Sequence, residues 1–339
     1  MIVSVSRRTD IPTWYSEWFF NRLDEGFVYV RNPLYLDKVS KVELNPKTVD
    51  CFVFWTKNAI PMMKNIHKLD GYNYYFQYTI TGYNSDVEQN IHNKPAIIEN
   101  FKELSRMLGK KRVVLRYDPI FFNEKYTIEY HCEAFKRLME QVGDYTERCV
   151  ISFIDFYNKT QKNMKIEKIK MDVFKREQLK KLAKNFVEIA KKYNVVIESC
   201  AEEINLEELG IKHGSCIDGK LIEEIVGYEM PTKKDGQRTG CNCVECVDIG
   251  EYNTCKNLCA YCYANFDKEK VAECSKAHDP HSPYLVGNNW IDEENISVRK
   301  MDSYKERAEK NEIRARKKAE KEALEAAKER AKKNQMKLL

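Results

Sequence analysis

RVVLRYDPI, residues 112–120, shows the sequence pattern on which the predicted fold depends. It begins with an apolar, β-branched run and ends with Arg116 and Asp118 before Pro119. A short apolar run bounded by polar and turn residues is typical of a strand buried in a parallel sheet. We therefore predict a strand whose carboxyl end carries charged groups.

Similar apolar runs with polar ends recur along residues 1–229. Predicted helices of about 10–20 residues separate most of them, which is the spacing of βα units in a parallel sheet. We predict an α/β fold with a complete or partial TIM-like (β/α) barrel over residues 1–229. Its further strands are predicted at 2–6, 51–58, 73–83, 149–157, 194–203 and 211–218. Residues 27–33 also alternate like a strand, and 158–170 are predicted to be a charged linker.

The polar ends of these strands are expected to lie together, because the carboxyl ends of parallel strands meet at one rim of a barrel. Barrel enzymes carry their active sites at that rim. For any single strand, the alternative is that its polar end simply begins a loop. The rim residues on which we base the candidate site are Arg7, Thr56, Gln77, Arg116, Asp118, Asp155 and Cys200.

The positive charge of the chain is concentrated at its carboxyl end. The net charge is +5, and residues 301–339 hold 13 basic and 8 acidic residues, so the first 300 residues are neutral overall. The Ala-, Glu-, Lys- and Arg-rich composition of 301–339 predicts one long, charged helical tail. The neutral body gives no electrostatic support for nucleic-acid binding, and only the basic tail favours it.

The sequence also bears on the compartment. No apolar run approaches the about 18 residues of a membrane span, and residues 1–10 have the pattern of a strand rather than of a signal peptide. Twelve cysteines in such a chain indicate reduced thiols and metal binding rather than disulfides. We therefore expect a cytoplasmic protein without a membrane partner.

A cysteine-rich region follows the predicted barrel. Residues 255–264, CKNLCAYCYA, place three cysteines at C-x3-C-x2-C: Cys255, Cys259 and Cys262. This spacing lacks the C-x2-C pairs usual for zinc and suits an iron–sulfur cluster. Three thiolates can hold three corners of a [4Fe–4S] cluster and leave the fourth iron open. We predict three regions: the barrel at 1–229, an iron–sulfur region packed on it at 230–300, and the helical tail at 301–339.

Four further cysteines lie at predicted strand ends or near the triad. We expect that Cys200, Cys216, Cys241 and Cys243 could ligate a second iron–sulfur cluster or a zinc ion. The alternative is that they are buried or idle thiols, because a C-x-C spacing is too common to identify a metal.

The triad, with Tyr261 before its last cysteine, resembles the cysteine motif of the radical S-adenosylmethionine (SAM) enzymes. More narrowly, the chain resembles the bacterial family of domain of unknown function 1848 over about residues 1–300. The blocks that carry this resemblance are SRRTDIP (6–12), FWTKN (54–58), YTITGY (78–83), RYDPI (116–120), SFID (152–155), KKDGQR (233–238) and CNCVECVDIGEYNTCKNLCAYCYAN (241–265). That family is described as having a carboxyl-terminal cysteine cluster similar to the amino-terminal cluster of radical SAM domains.

The radical SAM resemblance implies a mechanism and cofactors. A [4Fe–4S] cluster would bind SAM and cleave it reductively, and the resulting 5′-deoxyadenosyl radical would abstract hydrogen from an unknown substrate. The electron would come from a donor such as flavodoxin or ferredoxin. Tyr261, Arg7, Thr56 and Gln77 would contact SAM, and Arg116, Asp118 and Asp155 are the catalytic candidates. A triad near the carboxyl end must then fold back over the rim, close to the first strand.

Other functions remain open at this point. One is a metal-stabilised module, with zinc or an iron–sulfur cluster, that is non-catalytic or binds nucleic acid through the basic tail. Another is a barrel hydrolase in which Asp and Arg residues do the chemistry and the cysteines are structural. The cysteine spacing favours the radical SAM-type enzyme.

Overall fold

The computed structural model describes the chain except residues 36, 201, 203, 231, 236–240, 288–294, 299–302 and 337–339, and the side chains of 326–336. The strands are β1 (Ile2–Val5), β2 (Phe27–Arg31), β3 (Val39–Glu43), β4 (Cys51–Thr56), β5 (Tyr74–Thr79), β6 (Val113–Ile120), β7 (Arg148–Phe153), β8 (Val196–Ser199), β9 (Lys212–His213), β10 (Val247–Asp248) and β11 (Ile296–Val298). The α-helices are α1 (Ile11–Trp14), α2 (Ser16–Glu25), α3 (Ile60–Met63), α4 (Lys94–Leu108), α5 (Ile128–Val142), α6 (Asn158–Ile166), α7 (Arg176–Lys191), α8 (Gly219–Val226), α9 (Lys268–Lys276) and α10 (Tyr304–Met336).

A parallel sheet forms the centre of the molecule. Its order over the described residues is β10-β1-β4-β5-β6-β7-β8-β9, and all neighbouring pairs are parallel. The predicted α/β class and parallel βα order are therefore confirmed. A complete barrel is not shown, because β9 and β10 end the order on opposite sides and the described strands contain no pairing between them.

Both faces of this sheet are buried. On one face, alternate residues such as Val3, Phe52 and Phe76 pack in a large apolar cluster with the helices that connect the strands. On the other face, Ile2, Val53 and neighbouring side chains pack against α8 and the segment that contains Val244. Burial on both sides explains why the strands form nearly continuous apolar runs rather than clean alternations.

Several helices begin or end where the sequence carries capping residues. The side chain of Thr127 accepts the backbone N–H of Tyr130 at the start of α5, and Asp218 caps α8 in the same way. Helix α2 ends at Gly26, whose φ of +79° lies in the left-handed region that favours glycine. These local signals place the helices between the strands.

Three parts of the chain differ from the sequence prediction. The predicted strand at 27–33 is present as β2, but it pairs antiparallel with β3 in a separate three-stranded sheet, β11-β3-β2. Residues 158–166 form helix α6 rather than a linker. The cysteine-rich region contributes β10, which pairs with β1 in the main sheet, so this region is joined to the sheet as well as packed on it. The tail is helical from Tyr304, as predicted.

Candidate active site

A cavity of about 750 Å³ opens at the carboxyl ends of the parallel strands. Polar side chains from β4, β6 and the turn after β1 line it, as expected for the active side of a parallel α/β sheet. Of the residues predicted for the site, the cavity is lined by Arg7, Thr56, Arg116, Asp118, Asp155, Tyr261, the triad Cys255, Cys259 and Cys262, and also Cys200, Cys216, Cys241 and Cys243. The structure therefore brings both predicted cysteine groups and most of the predicted rim residues to one cavity.

The triad loop is fastened to the turn that follows β1. Asn257, between the first two cysteines, donates from Nδ2 to Asp10 Oδ2 at 3.0 Å and accepts from Trp14 Nε1 at 2.9 Å. Tyr263 donates its hydroxyl to the Arg7 carbonyl at 2.9 Å. These contacts place the loop over the carboxyl end of β1, where the sequence predicts it to fold back.

Asp10 is the buried centre of this attachment. Besides Asn257, its carboxylate accepts the Thr56 hydroxyl and the Lys57 backbone N–H, each at 2.8 Å, and the Thr13 N–H at 3.1 Å. Burial raises the pKa of Asp10, and these hydrogen bonds partly offset that effect. One carboxylate thus joins the ends of β1 and β4 to the triad loop.

Glu88 is a second buried carboxylate that holds the loop from another side. It accepts from Lys57 Nζ at 2.8 Å, from the Thr81 hydroxyl at 2.7 Å and from the Tyr261 hydroxyl at 2.5 Å. Its backbone forms an antiparallel bridge with Cys259. Burial opposes ionisation of Glu88, but Lys57 and Lys94 outweigh it and lower the pKa to about 2.

The three triad cysteines lie in an enclosed environment. Burial raises the pKa of Cys259 to about 12 and that of Cys255 well above its usual range. The backbone N–H of Ala264 donates to Cys262 Sγ at 3.3 Å, and such donors stabilise a metal-bound thiolate. Over the described parts of the chain, no three His, Cys, Asp or Glu side chains converge as the ligands of one metal ion would.

Two of the predicted rim arginines have acidic partners. Arg116 makes a bidentate pair with Asp118, with Nε 3.1 Å from Oδ1, and donates to Cys216 Sγ at 3.2 Å. Arg7 lies 3.2 Å from Asp235 and also donates to Cys246 Sγ at 3.3 Å. Contact of Arg7 with SAM and a catalytic role for Arg116 stay predictions, and either role would require the guanidinium to use hydrogen-bond donors that these pairs leave free.

Gln77 is the predicted site residue that does not line the cavity. Its side-chain amide donates to the Cys216 carbonyl at 2.9 Å and accepts from Arg116 Nη1 at 3.2 Å. Gln77 therefore holds the cavity-lining Arg116 without lining the cavity itself. Asp155 lies beyond the end of β7 and is exposed.

The four remaining predicted cysteines form a connected group on one wall of the cavity. Cys200 and Cys216 lie with their Sγ atoms 2.6 Å apart. The neighbouring Cys216 and Cys241 thiols raise the pKa of Cys243, whose sulfur accepts the Ile217 backbone N–H at 3.3 Å. Segments far apart in the sequence therefore bring these thiols into contact.

A known protein family matches this chain except in its carboxyl-terminal part. Residues 2–264 match the family described as "Domain of unknown function (DUF1848)". The chain belongs to this family. The match includes the triad and ends before residue 300, so the DUF1848 region is shorter than the sequence resemblance suggested. No curated protein matches the chain.

A solved structure with a distant likeness has also been found for this DUF1848 protein. It is a crystal structure of a Bacteroides thetaiotaomicron protein described as a "putative alpha-L-fucosidase", with 10% identity and a TM-score of 0.23. The likeness covers 55% of this chain and 76% of the other. A similarity at this level carries no argument about the activity of this chain. None of the described helices is long and apolar enough to cross a membrane.

Several residues of the site were not identified from the sequence. Glu88 and Asn257 carry no sequence signal of their own, because each acts through contacts with distant segments. Asp10 and Arg8 belong to the charged turn that follows β1, for which the sequence favours either anion binding or a helix cap by Asp10, and Asp10 does cap α1 at Thr13. Tyr252 and Lys159, which also line the cavity, carry no such signal.

Proposed function

We propose that this DUF1848 protein is a radical SAM-type enzyme in which Cys255, Cys259 and Cys262 bind a [4Fe–4S] cluster. The observation that carries the proposal is that these cysteines, at C-x3-C-x2-C, line one cavity with the polar ends of the parallel strands. In such a cluster each thiolate binds a different iron, so its ligands need to surround one space and need not converge on one point. The donor set and its enclosure fit that group.

When bound, the cluster would supply an electron for the reductive cleavage of SAM, delivered by flavodoxin or ferredoxin. The chain's own residues would hold the loop and exclude water. Asp10 and Glu88 fix the loop on both sides of Cys259, and Tyr261 is held by its hydrogen bond to Glu88. Rigid support of this kind keeps a reactive group correctly oriented and shielded from water.

The curved parallel sheet would act as a partial barrel whose mouth is covered by the triad loop. Arg116, Asp118 and Asp155 remain the candidates for contact with the substrate, and Arg7, Thr56 and Tyr261 for contact with SAM. All six line the cavity. Gln77 would act behind them by orienting Arg116.

A second cluster is proposed at Cys200, Cys216, Cys241 and Cys243, because their thiols form a chain of contacts on the wall of the same cavity. A single zinc ion bound by the four thiolates is the alternative, and metal analysis of the purified protein distinguishes the two. Arg116, which donates to Cys216 Sγ, would offset the negative charge of such a cluster.

Anaerobic reconstitution with iron and sulfide, followed by dithionite and SAM, tests the proposal. We expect bound iron and formation of 5′-deoxyadenosine. Cys259→Ala should lower the iron content and abolish the product, whereas Cys132→Ala, on α5 away from the cavity, should retain both. Cys216→Ala should lower the iron content separately from the triad.

The outcomes discriminate between the functions. Bound iron without SAM cleavage would contradict the enzymatic proposal and leave a structural or electron-carrying cluster. Bound zinc without iron would favour the metal-stabilised module.

A further inference from the structure

The cations that line the cavity fall into two groups. Arg7, Lys57 and Arg116 have acidic partners, namely Asp235, Glu88 and Asp118. Arg8 and Lys159 line the same cavity, and neither has an ion pair with any residue whose position is described. Neither cation therefore has a contact ion pair within the described part of the protein, although Glu251 lies near enough to Arg8 to interact with it electrostatically.

Both of these cations lie near the ring of Tyr252. The Arg8 guanidinium carbon lies 5.4 Å from the centre of the Tyr252 ring, and Lys159 Nζ lies 5.5 Å from it. Lys159 also lies 3.7 Å from the centre of the Phe266 ring, which stacks on Tyr252 at 6.0 Å. Cation–π contacts stabilise and orient the two charges, although they do not cancel their mutual repulsion.

The Arg8 guanidinium is also held by a hydrogen bond. Its Nη1 donates to the Gly250 carbonyl at 3.3 Å, which leaves further N–H groups of the guanidinium available. A guanidinium pairs bidentately with carboxylate or phosphate, and an ammonium group beside it adds a point charge. Two oriented cations with no contact ion pair to a described residue thus form a site for an anion at the cavity wall.

We propose that the substrate is a small molecule with a carboxylate or phosphate group, which Arg8 and Lys159 bind while Tyr252 holds them in place. This inference rests on the proposed function for the reaction that follows binding. The cavity of about 750 Å³ falls within the range of small-molecule sites. A small molecule is favoured over nucleic acid because the first 300 residues carry no net charge.

Calorimetric titration of the purified full-length protein with inorganic phosphate, with acetate and separately with SAM tests this site. We expect at least one of the two anions to bind. Arg8→Gln and Lys159→Gln should each weaken that binding by about tenfold, the loss of one charge-assisted contact. Lys162→Gln, an exposed change on α6 away from the cavity, is the matched control and should leave it unchanged.

Failure of both anions to bind, or unchanged binding in both variants, would overturn the proposal. Weakened SAM binding in the same two variants, alongside weakened phosphate and acetate binding, would also overturn it, because the cations would then serve the carboxylate of SAM. The titrations with phosphate and acetate need neither a cluster nor turnover. Their result therefore stays readable even if the protein cleaves no SAM.

Discussion

His131 on α5 illustrates how burial sets the charge of a single residue. Its ring is fully enclosed, with Nδ1 3.0 Å from the Tyr117 hydroxyl and Nε2 3.0 Å from the Phe121 carbonyl. Because the carbonyl can only accept, Nε2 carries the hydrogen and Nδ1 accepts from Tyr117. The rings around it, Tyr83 and Tyr126 among them, are neutral, so nothing there compensates a charged imidazole.

Burial lowers the pKa of His131 to about 4. The folded protein therefore binds this proton less readily than the unfolded chain, whose histidine titrates near its usual value of about 6.5. The contribution of His131 to stability is complete above pH about 6.5 and is lost as the pH falls toward 4, by about 3 kcal/mol in all. We expect urea unfolding to show this decrease.

The matched variant is His131→Gln, whose amide can keep one donor and one acceptor at this position. It should show a smaller fall in the free energy of unfolding between pH 6.5 and 4 than the native chain. An identical fall in the two proteins would mean that His131 is not the group responsible.

At the scale of elements, the described side chains that anchor α10 lie in its first turn. The Tyr304 side chain is buried, its N–H donates to Asp50 Oδ2 at 2.9 Å, and its hydroxyl donates to Glu245 at 2.7 Å. From Glu309 to Glu325 every side chain is exposed. Most of the helix with described side chains therefore makes no packing contribution to the fold.

We expect a chain that ends after residue 308 to have a free energy of unfolding within about 0.5 kcal/mol of that of the native chain, because every described side chain that it loses is exposed. Tyr304→Ala in the full chain should cost about 3–5 kcal/mol, as for other large buried aromatic residues. Urea denaturation followed by tyrosine and tryptophan fluorescence measures both. A truncation as costly as Tyr304→Ala would show that the distal part of α10 packs on the protein.

At the scale of the whole molecule, residues after 229 supply partners for buried groups of residues 1–229. Trp18, fully buried on α2, donates from Nε1 to the Ser282 carbonyl at 2.9 Å. The buried Tyr15 hydroxyl donates to the Thr254 carbonyl at 2.6 Å. Asp248 of β10 accepts the Arg7 backbone N–H at 2.8 Å. Buried polar groups without these partners carry a cost of about 1–3 kcal/mol each.

We therefore expect residues 1–229 expressed alone to lack a cooperative unfolding transition, whereas residues 1–308 should retain one. Circular dichroism during urea denaturation, with limited proteolysis alongside, distinguishes the two chains. If 1–229 unfolded cooperatively with a steep denaturant dependence, the first region would be an independent domain.

Part of this structure follows from local sequence patterns. β1, β4 and the other long strands were predicted because each is an apolar run that is buried on both faces, and such a run is visible within its own residues. The tail helix and the C-x3-C-x2-C spacing are local in the same sense. The family was identified from short blocks spread over the chain, and its match over residues 2–264 confirms it.

The remaining features depend on which distant segments come into contact, and no local sequence pattern contains that information. β10 is only two residues long, too short for a detectable alternation, and it is a strand only because it lies against β1. Glu88 is a site residue because Lys57 and Tyr261 pack around it, and Arg8 and Lys159 share a ring from a third segment. The sequence by itself determined the longer strands of the parallel sheet and the cysteine spacing, because both are local patterns. Only the tertiary structure decided the neighbours of the buried charges, because the long-range packing of the whole chain sets those contacts.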